Sequence, residues 1–271
     1  MGIKLPDSVP SMVTDSLAPT FVAMLTFTGA FIVKWAFSLT PFGSFYAFFN
    51  SVVSAPIMSF GASPAAIIVV YTFSNLLWFF GIHPAAILNV YSPAIITATM
   101  GNIQAFMAGT PSAELPYLEF SAVSTTLTIG GSGVMIGLAI AMLTAKSDRY
   151  KSLSKISFIP SLVNISEPMV FGTPVVLNPL FFFPLVLSVP IVGGVAWLLC
   201  NLGLANGFNP MISLPWIMPW PITNFMQGGI GFCAIGLISI VLSTALYFPF
   251  FKVADSMALK EEQEAKEAQA A

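Results

Sequence analysis

Two long stretches of this sequence contain no charged side chain. No Asp, Glu, Lys or Arg lies between Lys34 and Glu114, or between Glu167 and Lys252. One membrane-spanning helix needs about 20 apolar residues, so each stretch is long enough for several passes. Charged residues make up only 7% of the chain, which is too few to cover the surface of a soluble protein. The sequence therefore predicts an all-α integral membrane protein.

Breaks within the apolar stretches divide the chain further. Six full spans are predicted, at about 17–37, 42–60, 65–81, 120–144, 180–202 and 229–251. Residues 82–110 and 162–179 are also apolar but contain Pro, Gly and Asn, which predicts re-entrant or broken helices. Paired discontinuities of this kind are typical of a transporter's binding site. The predicted fold is a multi-span helical transporter domain with two broken segments.

Basic residues concentrate in one short segment, residues 146–155. By the positive-inside rule, this loop is predicted to face the cytoplasm. The last charged run, residues 252–271, is predicted to be a cytoplasmic tail in the form of a solvated helix. Residues 1–251 are then expected to form one membrane-embedded domain. Gly130-Gly131-Ser132-Gly133 lies inside the predicted span 120–144, where it indicates close helix packing or a flexible point beside a substrate path.

Composition excludes several classes of function. The net charge of −2 predicts no nucleic-acid partner. Cys200 and Cys233 both lie in apolar surroundings and are interpreted as small packing residues. The spacing of Cys, His, Asp and Glu matches no metal site, so neither a metal nor another cofactor is predicted.

Glu167 and His83 are the first candidate site residues. Glu167 is an isolated acid inside the second broken, apolar segment, and a carboxylate within the membrane indicates a functional site. The alternative is a loop carboxylate exposed at the cytoplasmic face. His83, the single histidine, opens the other broken segment and could equally be a packing residue. If the two breaks face each other, this pair would suit a hydroxyl-rich ligand.

Two tryptophans and two asparagines complete the candidate substrate site. Trp78 and Trp216 could stack on the apolar faces of sugar rings. Trp216 could instead belong to an interfacial aromatic belt. The amides of Asn75 and Asn164 could orient sugar hydroxyls, or either could cap a helix break.

Several runs of sequence carry a resemblance to a known family. They include NLLWFFGIH (75–83), SFIPSLVNISEPMVFGTPVVLNP (157–179), LPWIMP (214–219) and YFPFFKVAD (247–255). With these runs, the chain resembles the membrane subunit, IIC, of the lactose/cellobiose/diacetylchitobiose permeases of the bacterial phosphotransferase system. The resemblance covers essentially the whole chain. It implies a multi-pass sugar permease of the bacterial cell membrane that binds a β-linked disaccharide and presents its 6-hydroxyl to phosphorylated IIB.

The resemblance also implies roles for single residues. Glu167 and His83 match the family's Glu and His that contact the hydroxyl to be phosphorylated. Trp78 and Trp216 match tryptophans that line the same pocket. The family's phosphoryl donor is a cysteine of the soluble IIB subunit, which is supplied through IIA and HPr. No catalytic residue is therefore expected in this chain.

Two departures from the family pattern affect these expectations. Pro84 follows the motif histidine where family members usually have Gly, which bears on substrate identity. Family members also carry a further N-terminal set of spans, and Met1 falls where that set should already have ended. The chain is therefore expected to be the C-terminal, substrate-binding part of a IIC subunit. Its further partner would be a second copy, in a homodimer, or the N-terminal IIC portion.

Two other functions remain open at this point. In the first, the chain is a proton-coupled secondary sugar transporter in which Glu167 carries the proton and no soluble partner is needed. In the second, the chain is a truncated remnant that does not transport.

Overall fold

The structure is a computed structural model that describes residues 11–49, 51–52, 55–56 and 60–270. All regular elements in these ranges are helical, which confirms the predicted all-α class. The chain divides into two compact units, Met1–Ser59 and Phe60–Ala271.

The first unit contains helix α1 (Ser11–Ser38) and the short helix α2 (Phe45–Phe49). Helix α1 confirms the first predicted span, and its large apolar side chains, such as those of Leu25 and Phe31, are exposed. Such a surface needs lipid or protein around it. The second predicted span, 42–60, lies partly outside the described residues.

The second unit holds the remaining helices. They are α3 (Pro64–Phe79), α4 (Ala85–Met107), a 3₁₀ turn (Ser112–Glu114), α5 (Leu118–Leu127), α6 (Ile136–Met142), α7 (Asp148–Leu162), α8 (Glu167–Gly172), α9 (Pro179–Asn201) and α10 (Trp220–Ala270). Several begin at polar caps: Ser63 Oγ accepts the Ala66 N–H, and Asn178 Oδ1 accepts the Leu180 N–H. These caps satisfy backbone donors that a helix leaves unpaired at its first turn.

Three helices in the described ranges are long and apolar enough to cross a membrane: Pro19–Ser38, Pro179–Asn201 and Trp220–Ala268. Helix α3 is apolar but shorter, with 16 residues. The multi-pass character is therefore confirmed, and these four helices correspond to the predicted spans 17–37, 180–202, 229–251 and 65–81.

The predicted span 120–144 is wrong as a single helix. It is divided into α5 and α6 by a turn in which Gly130, Gly131 and Gly133 have φ of 75°, 86° and 80°. Val134 follows with φ of 50°. Residues in this left-handed region cannot continue a right-handed helix, so the glycine motif ends α5.

The two predicted broken segments differ in how far they are broken. The second is interrupted throughout: α7 ends at Leu162, α8 has only six residues, and Asn164 and Leu177 have positive φ. The first is broken only at residues 80–84, because α4 continues through Pro93. A buried stripe of Ala94, Ala98 and Asn102, spaced four residues apart, docks α4 on the protein and offsets the missing proline hydrogen bond.

Helix α10 is bent sharply near its start. Gly229 has φ 64° and ψ −152°, outside the helical region. The side chains of Trp220 and Asn224 lie against Gly236, and Asn224 Nδ2 donates to Phe232 O at 3.0 Å. A straight helix would separate residues 220 and 236 by about 24 Å. The first limb, residues 220–228, therefore folds back on the second.

The far end of α10 reaches the start of α7. Asp255 accepts hydrogen bonds from the backbone N–H groups of Lys146 and Ser147, and Glu262 accepts from those of Asp148 and Arg149. The charged tail therefore packs on the basic segment. At this end of the molecule, a buried core joins α3, α6, α7, α9 and α10 through residues such as Trp78, Leu138, Tyr150, Phe181 and Phe251.

Candidate functional site

The two chain breaks meet beside one open cavity. The break after α3 and the turn before α9 are joined by a hydrogen bond from Leu177 N to Phe79 O of 2.8 Å. The cavity has a volume of about 400 Å³. Its wall is formed by Trp78, Gly81, His83, Val170, Phe171, Pro174 and Val176. This volume lies in the range of small-molecule sites.

His83 lines this cavity, and Glu167 lies beside His83, although Glu167 is not part of the wall itself. Glu167 Oε1 lies 3.6 Å from His83 Nε2, and the side chains are 44% and 57% exposed, respectively. The predicted juxtaposition across two facing breaks is therefore present, although Glu167 is half-exposed rather than enclosed. At 3.6 Å, the two groups do not form a direct hydrogen bond of normal length.

The orientation of the His83 ring is fixed by the backbone. Its Nδ1 accepts the Ala85 N–H at 3.2 Å. In a neutral imidazole, an accepting Nδ1 places the proton on Nε2, the nitrogen that faces Glu167. A donor on the cavity wall, His83 Nε2, therefore lies next to an acceptor, Glu167 Oε1, at the edge of the cavity. A hydroxyl group, which both accepts and donates, matches this pair.

Trp78 lines the cavity beside His83. The residue is 4% exposed, and its ring centroid is 4.8 Å from that of His83. The indole also belongs to the buried core described above. It therefore supports the imidazole and has little exposed surface of its own for a ligand.

Pro84 fits its position in the break. It has φ −53° and ψ −32° and directly precedes α4. Proline is favourable at a helix start, because its φ is already helical and no N–H is needed there. Pro84 therefore lets α4 begin at Ala85, just past His83.

Asn164 connects three parts of the site. Its Oδ1 accepts the Gly130 N–H at 3.2 Å, and its Nδ2 donates to Trp216 O at 2.8 Å and to Met218 O at 3.4 Å. Asn164 has φ 65°, a conformation that asparagine tolerates better than most residues. The structure thus gives Asn164 a cross-linking position. Only the backbone of Trp216 is bonded to Asn164. Trp216 is 71% exposed, and its side chain does not line the cavity.

The cross-link predicts the effect of replacing Asn164 with aspartate. The Gly130 bond can remain, but a carboxylate oxygen would face two carbonyl oxygens. We expect a loss of about 0.5–1.5 kcal/mol in stability, because two hydrogen bonds at partly exposed positions are lost. Thermal unfolding in detergent and limited proteolysis in residues 214–219 measure the effect. Asn201→Asp is the matched control, since its Nδ2 also donates to a tryptophan carbonyl but only four residues away, so it joins no separate segments. Equal effects of the two changes would contradict the cross-link.

Asn75 lies outside the cavity wall. Its residue is 1% exposed, and Nδ2 is 3.5 Å from Leu185 O. Its Oδ1 has no hydrogen-bond partner among the described residues. The structure therefore places Asn75 one helical turn from Trp78 in the packed interior, where the predicted direct contact with sugar would require a rearrangement.

The glycine turn supports the site, a role that the sequence did not reveal. A Cβ atom on Gly131 would lie 2.6 Å from Ser166 Oγ, so the turn touches the residue that precedes Glu167. On its other side, Gly133 O accepts from Ser188 Oγ at 2.9 Å and from Tyr247 Oη at 3.0 Å. Three glycines within four residues were the available indication of a turn.

Comparisons with known proteins agree with the motifs. The pattern of the family described as "Phosphotransferase system, EIIC" matches residues 1–189. The galactose-specific EIIC component of Lactococcus lactis subsp. cremoris (strain MG1363) is 44% identical over 98% of this chain and 59% of its own length. The cellobiose-specific EIIC component of Geobacillus stearothermophilus is 31% identical over 96% of this chain and 58% of its own length.

Two further comparisons concern a fused relative and a solved structure. The lactose-specific EIICB component of Staphylococcus aureus is 29% identical over 98% of this chain and 46% of its own length. The crystal structure of ChbC, the IIC component of the N,N'-diacetylchitobiose-specific system, superposes with a TM-score of 0.67 at 28% identity. The superposition covers 96% of this chain and 61% of ChbC. The chain therefore spans about three-fifths of ChbC and of the EIIC relatives, and less than half of the fused one.

Proposed function

Because the chain belongs to the EIIC family of the phosphotransferase system, as its motifs predict, we propose that it forms the sugar-binding part of a membrane permease component. The substrate is a β-linked disaccharide of the cellobiose, diacetylchitobiose or lactose type, and its 6-hydroxyl is presented to phosphorylated IIB. One observation carries the proposal: His83 Nε2 and Glu167 Oε1 lie 3.6 Å apart beside the cavity.

The pair polarises the hydroxyl for phosphoryl transfer. The hydroxyl oxygen accepts from His83 Nε2–H and donates its proton to Glu167 Oε1. As the oxygen bonds to phosphorus, the bond from phosphorus to the IIB cysteine sulfur breaks and the thiolate leaves. The proton passes to Glu167 and then to solvent. The chain contributes position and electrostatics rather than a covalent intermediate.

The proposal also assigns the sides of the membrane. Residues 146–155 and the tail, residues 252–271, face the cytoplasm, where IIB is present. The hydrogen bonds that Asp255 and Glu262 accept from backbone N–H groups at the start of α7 hold these two segments together. After sugar binds, a rigid-body movement of the broken-helix region exposes the cavity to that side. IIA and HPr act only by supplying phosphate to IIB.

Galactose is the alternative substrate. The relative at 44% identity is described as galactose-specific. A single hexose also has a primary hydroxyl that can bind between His83 and Glu167. The disaccharide and galactose proposals therefore differ in whether the substrate needs a second sugar ring. Binding tests therefore require galactose beside lactose, cellobiose and diacetylchitobiose.

Glu167→Gln tests the proposal. The amide places N–H groups at the position of a carboxylate acceptor, so we expect sugar affinity to fall at least about ten-fold, or about 1.4 kcal/mol. Calorimetry on the purified protein in detergent measures the change. Glu119→Gln is the matched control, because Glu119 is another partly buried acid whose bond from Trp197 Nε1 an amide oxygen can keep.

Three results would count against the proposal. Equal affinities of the Glu167→Gln and Glu119→Gln proteins would remove Glu167 from the site. If the wild-type protein binds none of the four sugars, the result would support the hypothesis that the chain is a truncated remnant that does not transport. Uptake of unmodified sugar by cells without IIB would support the proton-coupled transporter.

A further inference from the structure

A second cavity, of about 330 Å³, lies between α4, α5 and the loop 208–214. It shares no lining residue with the cavity at His83. It lies toward the end of the helices where α9 finishes. Helix α9 begins in the core beside Phe251, and its 23 residues extend about 34 Å to Asn201. The second cavity is therefore displaced toward the side opposite the basic segment.

The wall of this cavity is uncharged and combines polar with apolar side chains. Among the described residues that line it, none is Asp, Glu, Lys, Arg or His. Its polar side chains include Thr99, Asn102, Ser121, Thr125 and Gln227, and the rings of Phe120 and Phe208 add apolar surface. A wall without charge cannot neutralise a phosphate or an ammonium group, so it favours a neutral ligand.

Two of the hydroxyl groups and one amide N–H of this wall already donate within the protein. Thr99 Oγ1 donates to Ile95 O at 2.9 Å, and Thr125 Oγ1 donates to Ser121 O at 3.0 Å. Asn102 Nδ2 donates to Ser121 Oγ at 3.0 Å. The threonine oxygens retain lone pairs after donating, so toward the cavity they act as acceptors.

The Gln227 amide is held by the protein and does not offer its oxygen to the cavity. Its Nε2 donates to Ile212 O at 3.1 Å, which fixes the amide orientation. Its Oε1 is shielded from solvent and has no hydrogen-bond partner among the described residues. A ligand in the open cavity therefore meets the threonine oxygens rather than this shielded oxygen.

We propose that this cavity is a second binding site, for a sugar unit that donates its hydroxyls to Thr99 and Thr125. A neutral ligand with hydroxyl groups and an apolar ring face matches an uncharged wall that combines threonine oxygens with two phenylalanines. The volume is at the lower end of small-molecule sites, which fits one or two sugar rings. The inference rests on the proposed function in one respect: the ligand is taken to be the permease's own sugar.

The test separates the two cavities by mutation. His83→Ala with Glu167→Gln removes the first site, and this double variant is placed in lipid nanodiscs with radiolabelled cellobiose or galactose. We expect a weak residual binding phase. Adding Thr99→Val should weaken that phase about five-fold or more, the loss of one acceptor. Thr97→Val is the matched control, because Thr97 makes the same bond to a carbonyl four residues earlier but does not line the cavity.

The outcomes are distinct. A folded double variant that binds neither sugar overturns the second site, and this is the result expected if the cavity holds only water. Equal effects of Thr99→Val and Thr97→Val overturn it as well. Thr125→Val provides an independent variant and should also weaken the phase, because Thr125 lines the cavity and bonds a carbonyl four residues earlier, as Thr99 does. Wild-type affinity in the double variant would instead contradict the proposed function at His83 and Glu167.

Discussion

Replacement of Gly131 by alanine is expected to destabilise the protein by about 2–5 kcal/mol and to abolish measurable sugar binding. Gly131 has φ 86°, where a residue with a Cβ atom is strained by about 1–2 kcal/mol. The added Cβ would also lie 2.6 Å from Ser166 Oγ and 3.0 Å from Ser166 N. Relieving that overlap costs about 1–3 kcal/mol more and displaces the segment that carries Glu167.

A control and a rescue separate the two causes. Gly109 has φ 91°, but a Cβ atom there meets nothing within 4 Å. Gly109→Ala should therefore show the backbone strain alone. Adding Ser166→Gly to Gly131→Ala removes the side chain that the Cβ meets and should restore part of the sugar affinity. Unfolding midpoints and calorimetric binding measure both. Wild-type sugar affinity in the Gly131→Ala protein would contradict the support of Glu167 by the glycine turn.

The sequence predicted most of the architecture because lipid imposes simple rules. Charge-free stretches, their length and their breaks located the long helices and the second broken segment. Glu167 and His83 could be singled out, because an isolated ionisable group in apolar sequence has few structural explanations. Their meeting across two breaks was predicted from the matching positions of those breaks.

Tertiary packing explains what the sequence did not predict. Pro93 suggested a break, yet α4 continues because Ala94, Ala98 and Asn102 are buried on one face. The sequence indicated close helix packing or a flexible point for the glycine motif within one span. Its positive φ values instead form a turn held by Ser188 and Tyr247, far away in sequence. Which way Asn75 and Trp216 point likewise depends on contacts that local sequence does not encode.

Asp255→Asn is expected to destabilise the protein by about 3 kcal/mol. Asp255 is 3% exposed, and its carboxylate accepts from Lys146 N at 2.8 Å, from Ser147 N at 3.0 Å and from Ser147 Oγ at 2.8 Å. Hydrogen bonds to a charged group contribute about 1.5–3 kcal/mol each, and an amide would turn N–H groups toward these donors. The shape of the side chain is retained, so packing changes do not account for the loss.

The same change should loosen the start of α7 without direct contact with sugar. The backbone N–H groups of Lys146 and Ser147 are expected to exchange hydrogen faster, while those in the middle of α9 keep their protection. Glu262→Gln is the control, because Glu262 accepts two similar bonds at the exposed positions Asp148 and Arg149 and should cost less than about 1 kcal/mol. If both variants unfold like the wild type, the tail is merely solvated and does not hold the basic segment. If only Asp255→Asn is destabilised, the buried carboxylate is what joins the end of the last span to the segment proposed to face IIB.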